Sequence, residues 1–334
     1  MAIIGLDVGT SFIVSSKETE NGIEYKDFRD AFYVIKPSTP VATKMIEKGL
    51  AGKTFIKDVD GSFIILGKDA IEKAIERNDT AKRPMYKGVV SAKETQAKKI
   101  LAFILKEVVG KASEPGEKLV FCIPAQPIDQ EDDEFDIGYH EDVVKSILAE
   151  CGYDARSINE AEALCYAELE NDDYTGIGIS CGSGMTNVCI MLNGEAVATF
   201  ATTKSGDWID RMTAVATGES DSVVQVEKEG GGFKVGEPND NPVLSALSSY
   251  YERLIDYTTK QLTFALTNNK SLPKFKDPLK IVVAGGTSKA EGYIEVFTKK
   301  LVENNFPITI KEVVHSADPL HAVSRGCLIA AKIL

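Results

Sequence analysis

Two turns in this sequence combine glycines with hydroxyl groups in a spacing suited to holding phosphate groups. The first follows a short apolar strand and reads Asp7-Val8-Gly9-Thr10-Ser11. An aspartate at the end of a buried strand is costly unless it has a partner, and Gly9 lets the backbone approach a ligand closely. Asp-x-Gly-Thr turns also occur as plain hairpin bends, so this turn by itself leaves a binding role and a structural role open.

The second turn lies roughly 170 residues further along, in Gly182-Ser183-Gly184-Met185-Thr186. The strands that lead into the two turns share one spacing, Gly5-Leu6-x-x-Gly9 and Gly178-Ile179-x-x-Gly182. A weak internal repeat of this length predicts two similar α/β halves. Two glycine turns that face each other across a cleft would grip a polyphosphate from both sides through backbone N–H groups.

Alternating apolar strands and amphipathic helices are expected to position these turns. Leu119–Ile123 is wholly apolar, which is typical of a strand buried on both faces in an α/β protein. The segments 92–109 and 243–267 carry apolar residues at helical spacing on a broad face. Between residues 33 and 90 the pattern loosens around Pro37 and Pro40, which predicts a small insertion subdomain.

Composition favours a soluble cytoplasmic protein of about two domains. The chain has 334 residues, of which 43% are hydrophobic, enough for a sizeable core. No stretch approaches the roughly 18 consecutive apolar residues of a membrane span, and the start lacks a signal-peptide pattern. Thirty-eight basic and fifty acidic residues give a net charge of −12 without any basic tract, which argues against direct binding to nucleic acid or to an anionic membrane.

Cysteines, histidines and acidic residues give no clear metal-binding pattern. The six cysteines are scattered in apolar runs without a CxxC pair, which indicates reduced core residues: Cys122, Cys151, Cys165, Cys181, Cys189 and Cys327. The three histidines are far apart in sequence. The acidic segment 130–136 lacks the glycine and spacing of a calcium loop, so we expect a solvated loop there.

With these motifs identified, the chain resembles the superfamily of actins, DnaK-type chaperones and sugar kinases over nearly its whole length. The two turns resemble the first and second phosphate motifs of that superfamily, and the segment 281–288 (IVVAGGTS) resembles its adenosine motif. Segments 119–125 and 158–161 resemble the first connecting region, and 318–326 resembles the second. The five motifs occur in the expected order.

Within the superfamily, Arg83-Pro84-x-x-x-Gly88-Val89-Val90 is similar to a segment of MreB and MamK, so the resemblance is closest to bacterial or archaeal actin-like proteins. It implies an α/β fold with two lobes, each a mixed five-stranded sheet with flanking helices, and ATP in the cleft between them. The expected lobes are 1–150 (core 1–32 and 63–150, insertion about 33–90) and 151–334 (core 151–212 and 268–334, insertion about 213–267).

The resemblance also implies roles for individual residues, with ATP or ADP and Mg²⁺ as cofactors. Asp7 would hold the Mg²⁺ hydration shell, and Glu160 would orient the attacking water; a plain helix N-terminal carboxylate is the alternative for Glu160. The phosphate-binding residues would be Gly9, Thr10, Ser11, Gly182, Ser183, Gly184 and Thr186. Adenine and ribose would lie against Gly285, Gly286 and Thr287, with Glu227 and Lys228 reaching the ribose.

Ser180 departs from the pattern of the superfamily. Relatives usually place an aspartate at this position, where it helps to position metal and water. Loss of such a carboxylate is expected to slow hydrolysis on the order of 10²-fold while affecting binding less.

The resemblance therefore implies an ATPase of the prokaryotic cytoskeleton, in which nucleotide controls assembly of a homopolymer and hydrolysis is slow. Its expected partners are further copies of itself and cargo or regulatory proteins. Two alternatives use the same cleft: a monomeric chaperone-like nucleotide switch, and a small-molecule kinase.

Overall fold

The apolar strands of each half pair into a mixed sheet in the computed structural model, which describes residues 3–130 and 135–334. Most of the predicted acidic loop therefore lies outside the described residues. The strands are β1 (Ile4–Val8), β2 (Phe12–Thr19), β3 (Gly22–Arg29), β4 (Phe32–Ile35), β5 (Phe55–Lys57), β6 (Phe63–Leu66), β7 (Met85–Tyr86), β8 (Val89–Val90), β9 (Glu117–Ile123), β10 (Tyr153–Asn159), β11 (Gly176–Cys181), β12 (Thr186–Leu192), β13 (Glu195–Thr202), β14 (Leu279–Ala284) and β15 (Ile310–His315). The helices are α1 (Pro40–Gly49), α2 (Lys68–Ile75), α3 (Ala97–Val109), α4 (Ile137–Glu150), α5 (Glu160–Glu168), α6 (Gly206–Thr217), α7 (Asp221–Gly230), α8 (Pro242–Asn268), α9 (Tyr293–Glu303) and α10 (Ala322–Ile333).

The two large sheets repeat one topology. The first is five-stranded with the order β10-β9-β1-β2-β3, and the second is five-stranded with the order β13-β12-β11-β14-β15. In each, the strand before a glycine turn pairs antiparallel with the next strand and parallel with a later one: β1 with β2 and β9, and β11 with β12 and β14. The prediction of two lobes built on mixed five-stranded sheets with flanking helices is confirmed.

Amphipathic helices cover both sheets and form a layer between them. The apolar face of α3, with Ile100, Leu101 and Ile104 fully buried, packs with α4 on the first sheet. Helices α6, α8 and α9 bury their apolar residues against the second sheet. Helices α5 and α10 pack on each other, with α10 against β1 and β9 and α5 against β11 and β12. This helix pair therefore joins the two halves.

The leading glycines of the internal repeat serve helix packing. A Cβ atom on Gly5 would lie 2.2 Å from the carbonyl oxygen of Ser324 in α10, and one on Gly178 would lie 2.6 Å from the sulfur of Cys165 in α5. Each sheet can approach its helix this closely only because no side chain intervenes. In each half, the first glycine of the shared spacing therefore allows close packing of a helix, and the second lies in the turn.

A small three-stranded sheet, β4-β6-β5, packs with α1 and α2 in the part of the chain where the sequence predicts an insertion subdomain. The lobe boundary expected at residue 150 falls before β10, but β10 pairs in parallel with β9. The first sheet therefore continues to Asn159. Within residues 3–130 and 135–334, no helix is both long and apolar enough to cross a membrane.

Candidate nucleotide site

A cavity of about 470 Å³ lies between the two sheets, where β1, β11 and β14 end. Ligands of α/β proteins commonly bind beyond the carboxyl ends of parallel strands, because loops and helix N-termini converge there. The cavity is lined by the β1–β2 turn, the β11–β12 turn, the start of α5, the end of α7 and the segments that follow β14 and precede α10. These segments contain most of the residues singled out from the sequence.

The two glycine turns contact each other directly at this cavity. The backbone N–H of Gly88, in the tight β7–β8 hairpin, donates to Oγ1 of Thr10 at 3.1 Å. A Cβ atom on Gly184 would lie 2.4 Å from the same Oγ1 and 2.8 Å from the nitrogen of Gly88, so only glycine fits there. The predicted phosphate-binding residues that line the cavity are Gly9, Thr10, Ser11, Gly182, Ser183 and Gly184.

Two carboxylates, Asp7 and Glu160, lie in the lining of this cavity. Burial raises the pKa of both groups, and the negative charge of Asp7 raises the pKa of Glu160 further. Hydrogen bonds oppose these shifts, from Cys122 for Asp7 and from Ser180 for Glu160. The carboxylates therefore interact electrostatically, and a cation between or beside them would relieve the unfavourable charge.

Asn187 holds Glu160 in place. Its side-chain Nδ2 donates to Oε2 of Glu160 at 2.8 Å, and its Oδ1 accepts from the backbone N–H of Ala125 at 2.8 Å. Asn187 is fully buried in β12, whereas Ala125 follows β9 of the first sheet. Asn187 is not among the residues singled out from the sequence. The available signal was an amide side chain directly after the second glycine turn, at the head of an otherwise apolar strand.

The adenosine-like motif forms the opposite wall. Gly285 has φ 91°, and a Cβ atom there would lie 2.3 Å from the carbonyl oxygen of Cys181, so the turn requires glycine. Oγ1 of Thr287 donates to the carbonyl oxygen of Gly182 at 2.7 Å and so connects this motif to the second glycine turn. Gly285, Gly286 and Thr287 all line the cavity, as do the apolar rings of Phe233 and Tyr251.

Two residues expected at the site lie elsewhere. Thr186 is buried outside the lining, and its hydroxyl lies 3.1 Å from that of Ser205. Glu227 is exposed on α7 and does not line the cavity, whereas Glu229 does. Residues two apart on an α-helix point about 200° apart, so only one of these glutamates faces the cleft.

The charged residues of α7 that line the cavity already have partners. The ammonium of Lys228 lies 2.7 Å from the carboxylate of Asp210 and 3.2 Å from the carbonyl oxygen of Gly206. Glu229 pairs with the guanidinium of Arg29 from the other sheet at 2.5 Å. Neither pairing followed from the sequence, because each joins distant segments.

Repeated sheets around a shared cleft define an actin-like ATPase fold. A MamK double helical filament structure matches with TM-score 0.70 at 17% identity, over 100% of this chain and 99% of that chain. MreB5 of Spiroplasma citri bound to AMPPNP matches with TM-score 0.69 at 15% identity, over 99% and 96%. The ethanolamine utilization protein EutJ of Carboxydothermus hydrogenoformans matches with TM-score 0.53 at 14% identity, over 98% and 90%.

The family model for Volactin matches residues 1–331, and the chain belongs to the Volactin family. A search of curated proteins finds no match.

Proposed function

We propose that this protein binds ATP in the cleft and assembles into filaments of identical subunits under nucleotide control, with slow ATP hydrolysis. The observation that carries the proposal is the direct contact of the two glycine turns beside Asp7 and Glu160. Two structures of the same fold support it: one is a MamK filament, and the other is MreB5 with a bound ATP analogue. The two lobes that would close on the nucleotide divide near residue 159, after β10.

In this proposal the turns hold the phosphate chain from both sides. Gly9, Thr10 and Ser11 would bind it from the first lobe, and Gly182, Ser183 and Gly184 from the second, mainly through backbone N–H groups. Thr186 would act indirectly, because its hydroxyl contacts Ser205, whose own hydroxyl donates to the carbonyl oxygen of Gly182 at 2.5 Å.

The acidic side of the cleft fits Mg²⁺. Asp7 and Glu160 supply hard oxygen atoms. Burial raises the pKa of both carboxyl groups, and a bound cation would favour their ionised forms. Among the described residues, no cluster of three or more potential metal ligands occurs. Mg²⁺ commonly relies on one or two carboxylates together with water and substrate phosphates, so Asp7 is sufficient as the protein ligand through water. Bound Mg²⁺ would neutralise phosphate charge during hydrolysis.

Glu160 would orient the attacking water. It lies at the first position of α5, with one oxygen held by Asn187 and a further hydrogen bond from Ser180. The helix dipole also favours a carboxylate at this position, so a structural role remains the alternative.

The adenosine would lie against Gly285, Gly286 and Thr287. Glu229 replaces Glu227 as the glutamate proposed to reach the ribose, because Glu229 lines the cavity. The ammonium of Lys228 is paired with Asp210, so we expect Lys228 to stabilise the end of α7 beside the cavity and not to bind the ribose.

Nucleotide-dependent sedimentation tests the proposed assembly. We expect the wild type to pellet with ATP and Mg²⁺, to pellet less with ADP, and to show filaments by negative-stain microscopy. Asp7→Ala should abolish pelleting, whereas Asp27→Ala, an exposed aspartate of β3, should not. A monomer that stays in the supernatant under every nucleotide condition would contradict filament formation and favour the monomeric switch.

Ser180→Asp tests the proposed cause of slow turnover. The variant restores a carboxylate beside Glu160, and we expect phosphate release with Mg²⁺ to rise on the order of 10²-fold while ATP affinity changes less. Ser180→Ala is the control for loss of the hydroxyl that bonds Glu160. An unchanged or lower rate in Ser180→Asp would contradict this explanation.

A further inference from the structure

The thiol of Cys122 contacts the aspartate of the first glycine turn. Cys122 lies in β9, next to β1, and is 2% exposed. Its sulfur lies 3.1 Å from Oδ1 of Asp7 and 3.4 Å from the backbone nitrogen of Val8. Because the N–H of Val8 can only donate, the sulfur accepts that hydrogen bond. The thiol proton can go to the carboxylate of Asp7 or to the neighbouring sulfur of Cys327, and the charged carboxylate is the stronger acceptor.

This environment differs from that of other buried cysteines. The sulfur of Cys165 faces the carbonyl oxygen of Cys189 at 3.9 Å, and that of Cys181 lies 3.2 Å from the hydroxyl of Tyr293. Those thiols fill apolar or neutral surroundings, as expected of cysteine in a core. Cys122 instead contacts a carboxylate that lines the nucleotide cavity.

We propose that Cys122 is a positioning residue for Asp7. Its thiol donates to Oδ1 and restricts the rotation of the carboxylate, so that Asp7 is presented to the cleft in one orientation. The inference rests on the proposed function, in which Asp7 holds the hydration shell of Mg²⁺. Groups that orient a metal-binding side chain from behind typically change metal affinity about 10–100-fold when they are removed.

The test measures how much Mg²⁺ strengthens ATP binding. Calorimetry of ATP binding, with Mg²⁺ in excess and with EDTA, gives two dissociation constants whose ratio is the Mg²⁺ gain. We expect Cys122→Ala to reduce this gain roughly tenfold and Cys122→Ser, which keeps a donor, to retain most of it. Cys122→Val fills the space without a donor and should behave as Cys122→Ala. Affinity in EDTA should be the same for all four proteins.

Cys151→Ala is the matched control, because Cys151 is also a buried free cysteine but lies at the end of α4. It should keep the full Mg²⁺ gain. Thermal unfolding shows whether each variant is folded before its ATP binding is compared with that of the wild type. If Cys122→Ala does not fold, Cys122→Val takes its place.

Two results would overturn the role of Cys122 and leave the proposed function standing. One is a full Mg²⁺ gain in the folded variants that lack a donor, and the other is an equal loss in Cys122→Ser and Cys122→Ala. A wild type that binds ATP equally well with Mg²⁺ and with EDTA would instead refute the metal role of Asp7 proposed above, and this inference with it.

Discussion

At the scale of single residues, neutral donors from neighbouring strands hold the two cleft carboxylates. Asp7 has Cys122, and Glu160 has Asn187 and Ser180. A buried carboxylate that accepts such hydrogen bonds keeps a defined orientation without a permanent positive partner. A cation bound beside them would favour the ionised forms of both carboxylates.

Asn187→Asp tests this arrangement at Glu160. The variant keeps the acceptor for Ala125 but loses the donor to Glu160 and places a second negative charge 2.8 Å from it. We expect ATP hydrolysis to fall on the order of 10²-fold, the cost of removing one preorganised donor, with ATP affinity changed only a few-fold. Phosphate release and calorimetry measure the two effects.

Asn193→Asp is the control, since Asn193 lies in the exposed β12–β13 turn and has a positive φ that aspartate tolerates. Equal hydrolysis rates for wild type and Asn187→Asp would show that Asn187 does not position Glu160.

At the scale of secondary structure, glycines set the distance at which elements cross. The crossing of α10 over α5 depends on Gly326, where a Cβ atom would lie 1.8 Å from the carbonyl oxygen of Ala163. The same helix passes over Gly5 of β1. Because α5 begins with Glu160 and α10 follows the segment that lines the cavity, this crossing fixes part of the site.

Gly326→Ala should therefore displace α10 and destabilise the protein. We expect a loss of about 1–3 kcal/mol in the free energy of unfolding, as for overpacking of a filled core, measured by chemical denaturation. Gly49→Ala is the matched control, because Gly49 lies at the exposed end of α1 with no atom within 4 Å of the added methyl group. It should be neutral or slightly stabilising. Equal stability of the two variants would contradict the packing role of Gly326.

At the scale of the whole molecule, ion pairs connect the two halves beside the cleft. Arg29 pairs with Glu229 at 2.5 Å, and Arg83 pairs with Asp207 at 2.6 Å. Arg29 and Arg83 also lie near the fully buried carboxylate of Asp30, whose pKa burial raises. These contacts supplement the helix pair α5 and α10, so the halves are joined on more than one side of the site.

The stability of the whole protein should depend on the protonation of His140. This side chain is fully buried in α4, its ring nitrogens have no hydrogen-bond partner among the described residues, and burial lowers its pKa from 6.5 to about 4. Between these values the unfolded chain binds a proton that the folded protein does not, so stability falls as pH falls from 6.5 towards 4.

His140→Leu should remove this contribution. Between pH 7 and pH 5 we expect the stability of the variant relative to wild type to increase by about 2 kcal/mol, from roughly 1.4 kcal/mol for each pH unit below 6.5. Denaturant unfolding at both pH values measures the difference. Parallel pH dependence of the two proteins would contradict the assignment.

Local sequence patterns were sufficient to predict most elements of this fold. Strand β9 and helix α8 were predicted within two residues at each end, and the two glycine turns lie between paired strands as expected. Apolar periodicity and turn chemistry act over a few residues, so they can be read without the fold. The order of the motifs, through the family resemblance, also predicted the two-lobed architecture around a cleft.

The partners of the site residues were decided by tertiary structure. Cys122 meets Asp7 across 115 positions of sequence, and Asn187 meets Ala125 across 62. The choice of Glu229 over Glu227 depends on the rotation of α7, and the membership of β10 in the first sheet depends on its pairing with β9. Such contacts arise from chain crossings and helix orientation, for which no local sequence pattern exists. The sequence therefore predicted the glycine turns, but only the tertiary structure identified the donors that hold the carboxylates beside them.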